Sequence, residues 1–136
     1  MNLRGKFQLK TGQTIELLGA PDSVIGLLSE LETDEVGDVG PALLAFVANE
    51  AALAKVDAII TKSAASDRLT WVAYPKAGQL GTDLNRDTLA ASLIEHGVEP
   101  VRQVALDDVW SALRFRLIST RLDRVAVAAT GARRRG

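Results

Sequence analysis

Leu69-Thr70-Trp71-Val72-Ala73-Tyr74, followed by Pro75, is the stretch whose reading decides the fold. β-Branched and aromatic residues favour a pleated strand, and the proline, with no N–H to donate, stops it. Upstream, Ala42–Val47 (Ala-Leu-Leu-Ala-Phe-Val) is continuously apolar, the pattern of a strand buried on both faces. Further back, residues 13–18 (Gln-Thr-Ile-Glu-Leu-Leu) read as a first strand. Lys10-Thr11-Gly12 before it is a turn, which assigns Phe7 and Leu9 to a short hairpin arm.

Helical spacing fills the intervals between these strands. Val24, Leu27, Leu28 and Leu31 recur with a helical period, with Asp22 or Ser23 as the expected cap. Asn49 is placed to cap a helix over 50–63 that carries Leu53, Val56, Ile59 and Ile60 on one side. Ser66-Asp67-Arg68 turns the chain into the deciding strand. After a polar loop from Lys76 to Arg86, a helix over 84–96 points Leu89, Leu93 and Ile94 inward and stops at Gly97. Val101–Leu106 and Trp110–Leu117 then form a hairpin. A two-residue loop, Asp107-Asp108, pairs Leu106 with Val109 and Val104 with Ser111. It sets Gln103, Trp110, Arg114 and Arg116 on one face and keeps Arg102 away from Arg114.

Strand and helix alternate throughout, so the expected fold is α/β. It is a three-layer, mostly parallel sheet of about five strands ending in an antiparallel hairpin, Rossmann-like in order. Residues 1–118 form one domain. Residues 119–136 form a last helix, capped by Ser119 or Thr120 and carrying Leu122, Val125, Ala126 and Ala129, and then a basic tail.

Composition narrows the class. The chain has 136 residues, 47% hydrophobic and 24% charged, the balance of one globular domain. It has no cysteine, which removes disulfides, thiolate metal sites and a cysteine nucleophile. Its start lacks the apolar core of a secretion signal, and no apolar run reaches the roughly 18 residues of a membrane span, so a cytoplasmic protein is expected. Net charge is −1. Residues 121–136 hold five arginines and one aspartate, a net of +4, which leaves −5 for residues 1–120. A body of that sign repels nucleic-acid phosphates, so any such association falls to the arginine tail.

Three strings stand together in order: Trp71-Val72-Ala73-Tyr74-Pro75-Lys76, Thr82-Asp83-Leu84-Asn85-Arg86-Asp87, and Asp107-Asp108-Val109-Trp110-Ser111-Ala112-Leu113-Arg114-Phe115-Arg116. They resemble a family of small uncharacterised bacterial proteins, a domain of unknown function, over about Leu9 to Arg116. That resemblance implies no activity. The element order is also similar to part of a Rossmann-like methyltransferase domain. Such domains seat their cofactor over a glycine-rich turn after the first strand. Here that turn reads Gly19-Ala20-Pro21-Asp22, so no S-adenosylmethionine site and no other cofactor is expected.

Open α/β sheets bind ligands at the carboxyl ends of their strands. The loop after Tyr74 lies there and offers Lys76, Asp83, Asn85 and Arg86 as a ligand-binding group, with Thr82 and Asp87 beside them. A helix N-terminus in the same place favours a phosphate or carboxylate. Against this, Thr82, Asp83 and Asn85 are also ordinary helix caps. Trp110, Arg114 and Arg116, the two arginines about 7 Å apart on one strand face, are a second candidate surface for an anionic or aromatic partner. Asp107 and Asp108 suit a turn better than acid–base work. His96, the single histidine, sits at a helix end with no triad around it, and no metal-ligand constellation is present. The reading that follows is a non-enzymatic interaction or small-anion-binding module. The alternatives are an enzyme, a remote transferase, acting on a small anionic metabolite, and nucleic-acid association through the tail. A homodimer is compatible with all three.

Overall fold

The structure, a computed structural model, describes residues 3–33 and 37–118. In chain order the elements are α1 (Leu3–Lys6), β1 (Ile15–Leu18), α2 (Ile25–Leu28), β2 (Ala42–Phe46), α3 (Glu50–Ala65), β3 (Thr70–Pro75), α4 (Arg86–Ile94), β4 (Val98–Ala105) and β5 (Trp110–Leu117). Short 3-10 turns flank α2 at Asp22–Val24 and Ser29–Leu31, and a third lies at Gln79–Gly81. The expected last helix and the arginine tail lie outside the described residues.

The five strands form one sheet in the order β1-β2-β3-β5-β4. β1, β2 and β3 are parallel neighbours, and β5 runs antiparallel between β3 and β4. Every residue of β2 and β3 is buried, the requirement their apolar runs imposed. Strand parity then divides the core in two. Leu44, Phe46, Trp71, Ala73, Trp110 and Ala112 pack with Leu3, Phe7, Val24, Leu28 and Leu31. Ala45, Val47, Val72, Tyr74, Leu113 and Phe115 pack with Leu53, Ile60 and Ala64 of α3 and Leu89 and Leu93 of α4. No helix among the described residues is long and apolar enough to cross a membrane.

Four local expectations are corrected. First, the chain before β1 is a helical turn rather than a hairpin arm, because Leu3 and Phe7, four residues apart, both insert into the core. Trp71 Nε1 donates to the Phe7 carbonyl at 3.1 Å and fixes that turn. Second, neither Asp22 nor Ser23 caps α2. Pro21 takes the capping position of a tight 3-10 turn, with no side-chain hydrogen bond. Third, Ile59 and Ile94 are about half exposed, at 49% and 48%. Each sits about 100° around its helix from a buried neighbour, Ile60 or Leu93, and so falls off the inward stripe.

The fourth correction is the hairpin. Ala105 pairs with Ser111, Val104 with Ala112, and Arg102 with Arg114, which is the like-charge register the sequence argued against. The loop has three residues, Asp107 to Val109. Asp107 Oδ1 accepts the amides of Val109 and Trp110 at 2.8 and 2.7 Å, and the Leu106 amide donates to the Trp110 carbonyl at 2.9 Å. This register puts Trp110 on the face of Val104 and Leu106, edge-on to Phe46 with ring centroids 5.2 Å apart. Burying a tryptophan is worth about 4–6 kcal/mol at roughly 25 cal/mol per Å². A cross-strand like-charge pair costs at most about 1 kcal/mol, so the aromatic decides the register. A bulge between Pro100 and Arg102 then switches the parity of β4. Val98 and Val104 are both even-numbered, yet Val98 faces the α3–α4 side and Val104 the other.

Candidate functional site

α3 and α4 both begin at the carboxyl edge of the sheet, directly after β2 and shortly after β3. Their exposed amides need acceptors. Asn49 Oδ1 accepts from the Ala52 amide at 2.8 Å, as its position predicted. Asn85 caps α4 in a reciprocal box. Its Oδ1 accepts from the Thr88 amide at 2.9 Å while Thr88 Oγ1 accepts from the Asn85 amide at 2.9 Å. Asp83 Oδ1 reaches across to the Glu50 amide of α3 at 2.8 Å, and Thr82 Oγ1 accepts from the Leu84 amide at 3.0 Å. Leu84, 2% exposed, is the anchor these caps hold in the core.

Beside the start of α4 lies a concavity of about 540 Å³, lined by Tyr74, Lys76, Ala77, Asn85, Arg86, Asp87, Gln103, Ala105 and Ser111. Three of the four ligand-binding candidates, Lys76, Asn85 and Arg86, meet there. Asp83 does not, because its carboxylate is committed to the N-terminus of α3. The floor is polar. Tyr74 and Ser111 are buried and paired across β3 and β5. Gln103 Nε2 donates to Ser111 Oγ at 3.2 Å and to Tyr74 Oη at 3.4 Å, and Ser111 Oγ donates to the Val104 carbonyl at 3.3 Å. Lys76 and Arg86 against Asp87 leave the rim with a net positive charge. The capping box uses the amides of Asn85 and Thr88, and Arg86 and Asp87 of the first turn of α4 line the wall, so the positive end of that helix lies beside the concavity, a setting that favours negative charge.

Sequence reading missed Tyr74, Gln103 and Ser111. The register concealed them. With a two-residue loop Gln103 shares a face with Trp110, whereas the true pairing sets it beside Ser111 and Tyr74.

The second candidate group is separated. Trp110 is buried against Phe46 and leaves no ring surface for a partner. Arg114 and Arg116 lie toward the other end of β5, in a cleft with Gln8, Lys10, Asp67 and Arg68. Arg114 Nη1 donates to Gln8 Oε1 at 2.7 Å, and Arg116 Nη2 stands 3.9 Å from Asp67 Oδ1. Burial holds the Arg114 pKa below its ordinary value; the Arg116 charge adds to this, Asp67 opposes it, and Arg102 adds again. Elsewhere, His96 Nε2 lies 3.4 Å from Asp57 Oδ2, and Asp107 spends its carboxylate on the hairpin amides.

Comparison with protein-family models, with curated proteins and with solved structures finds no match to this chain, so what is said of its function rests on its own residues.

Proposed function

We propose that this chain is a non-enzymatic module that binds a small anion at the carboxyl edge of β3. The observation that carries the reading is the convergence of Lys76 and Arg86, the N-terminus of α4, and the Tyr74–Gln103–Ser111 floor on one concavity. Cations and helix amides attract the charge, and the hydroxyls and amide give orientation. Binding is favoured over catalysis by the partners of Ser111. A backbone carbonyl and a glutamine amide cannot take its proton, so the hydroxyl is not activated as a nucleophile.

The finer fold reading, a Rossmann-like three-layer domain, is supported by the two core clusters and by β5 lying between β3 and β4. The turn after β1 speaks against a dinucleotide or S-adenosyl cofactor there. Pro21 opens a 3-10 turn, and α2 has only four residues, so the segment offers no long helix N-terminus to a phosphate. A Cβ on Gly19 would come within 3.2 Å of the Phe46 carbonyl, which ties that glycine to packing of the β1 end on β2.

The test is a thermal-shift screen with inorganic phosphate, nucleotides, S-adenosyl compounds and phosphorylated metabolites. A ligand at about a hundred times its dissociation constant adds about 2.7 kcal/mol, an upward shift of about 10 °C for a domain of this size. The shift is expected to vanish in Lys76→Ala and in Arg86→Ala. A screen in which no hit depends on Lys76 or Arg86 removes this site. Turnover of a hit that depends on Lys76 or Arg86 replaces the binding reading with an enzymatic one.

A further inference from the structure

The cleft at the opposite edge of the sheet has a different character. Pro41 and Leu69, the residues just before β2 and β3, place it at the amino ends of the parallel strands. Its volume is about 510 Å³, within the range of small-molecule sites. Lys10, Arg68, Arg114 and Arg116 line it against a single acid, Asp67. Arg102 stands directly across from Arg114 in the register, and Glu99 across from Arg116.

The cations in this cleft differ in how far the protein already satisfies them. Arg68 is a structural clamp: it donates to the Pro41 carbonyl at 2.5 Å and pairs with Glu16 at 2.6 Å. Arg114 is not compensated in this way. Its Nη1 meets only the neutral amide oxygen of Gln8, and its Nε is buried without a hydrogen-bond partner among the described residues. The Asp67 side chain is 92% exposed and 3.9 Å from Arg116, too far and too wet to neutralise the group. Three guanidiniums share this sheet face with one carboxylate, Glu99, which leaves the face net positive, and such local conflicts mark functional places. The three-residue hairpin loop brings Arg102 onto that face opposite Arg114, and the bulge at Pro100–Arg102 brings Glu99 onto it opposite Arg116.

We infer that this cleft is a second anion site, distinct from the one at the carboxyl edge, and that it takes the phosphate group of a small phosphate ester. Planar guanidinium forks match the tetrahedral oxygens of a phosphate; Arg114 and Arg116 offer two of them in the cleft, and Arg102 stands beside it, across from Arg114. The esterified group lies against Val39, Pro41 and Leu69, the apolar part of the lining. Burial, and after it the Arg116 charge, lowers the Arg114 pKa, in keeping with a partly desolvated cation beside a second one.

The probes are phenyl phosphate and inorganic phosphate, titrated calorimetrically at low ionic strength into the full chain. Phenyl phosphate is expected to bind more tightly than inorganic phosphate. Arg102→Ala and Arg116→Ala, both at exposed positions, should each weaken it at least tenfold, and binding should persist in the pair Lys76→Ala/Arg86→Ala, which leaves only this cleft. In the absence of ligand, Arg102→Ala should raise the melting temperature by relieving repulsion, which separates a lost contact from a damaged fold. The inference is overturned by no detectable phenyl phosphate binding at millimolar concentration, by equal or weaker affinity than inorganic phosphate, or by loss of binding in Lys76→Ala/Arg86→Ala alone. Tighter, Arg102-dependent binding of a single-stranded oligonucleotide would also overturn it, in favour of a nucleic-acid surface.

Discussion

Thr70 is fully buried, and its hydroxyl serves two neighbours. It donates to the Arg68 carbonyl at 2.8 Å and takes the proton of Ser63 Oγ at 2.7 Å, which joins the end of α3 to the start of β3. Thr70→Val keeps the shape and strands both partners. It should cost about 1–3 kcal/mol in urea unfolding, and adding Ser63→Ala should recover part of that loss by removing the orphaned hydroxyl. Single residues also explain what the sequence disclosed of the site. Lys76, Asn85 and Arg86 were legible because loop and cap chemistry is local. Tyr74 was not, because an aromatic on an apolar strand gives no sign that its hydroxyl reaches a surface concavity.

The same contrast holds at the scale of elements. β2 and β3 were readable as strands, since continuous apolar runs fix both their existence and their burial. α3 and α4 were readable from Asn49 and Asn85 and the period behind them. The β4–β5 register was not. It depends on where Trp110 ends up, on a bulge, and on one carboxylate organising the loop, and none of these is a property of the hairpin strands alone. Asp107 and Asp108 therefore separate cleanly. Asp107→Ala removes the acceptor of two amides and should destabilise by about 1–2 kcal/mol, whereas Asp108→Ala should stay within about 0.5 kcal/mol, both by urea unfolding. A mutual dependence of activity on the two aspartates would contradict this division.

At the scale of the molecule, the sheet is closed by the strand that comes last among those described. β4 touches the sheet only through β5, so a chain ending at Leu106 leaves β4 without a strand partner and β3 with a bare side. Such a chain should lose the single cooperative unfolding transition expected of the full protein, a difference that circular dichroism in urea resolves directly. The insertion of β5 also sets a schedule for biosynthesis. As the polypeptide emerges, β3 presents a largely apolar strand with unpaired N–H and C=O groups along one side, and its permanent neighbour does not yet exist. At roughly 5–20 residues per second, the 40 or so residues from Pro75 to Leu117 take about two to eight seconds to appear. Throughout that interval the nascent chain carries an open, sticky edge of the kind that pairs with other chains. Slowing translation within residues 76–117 would lengthen the exposure, and a chaperone bound over β3 would have to leave for the hairpin to enter.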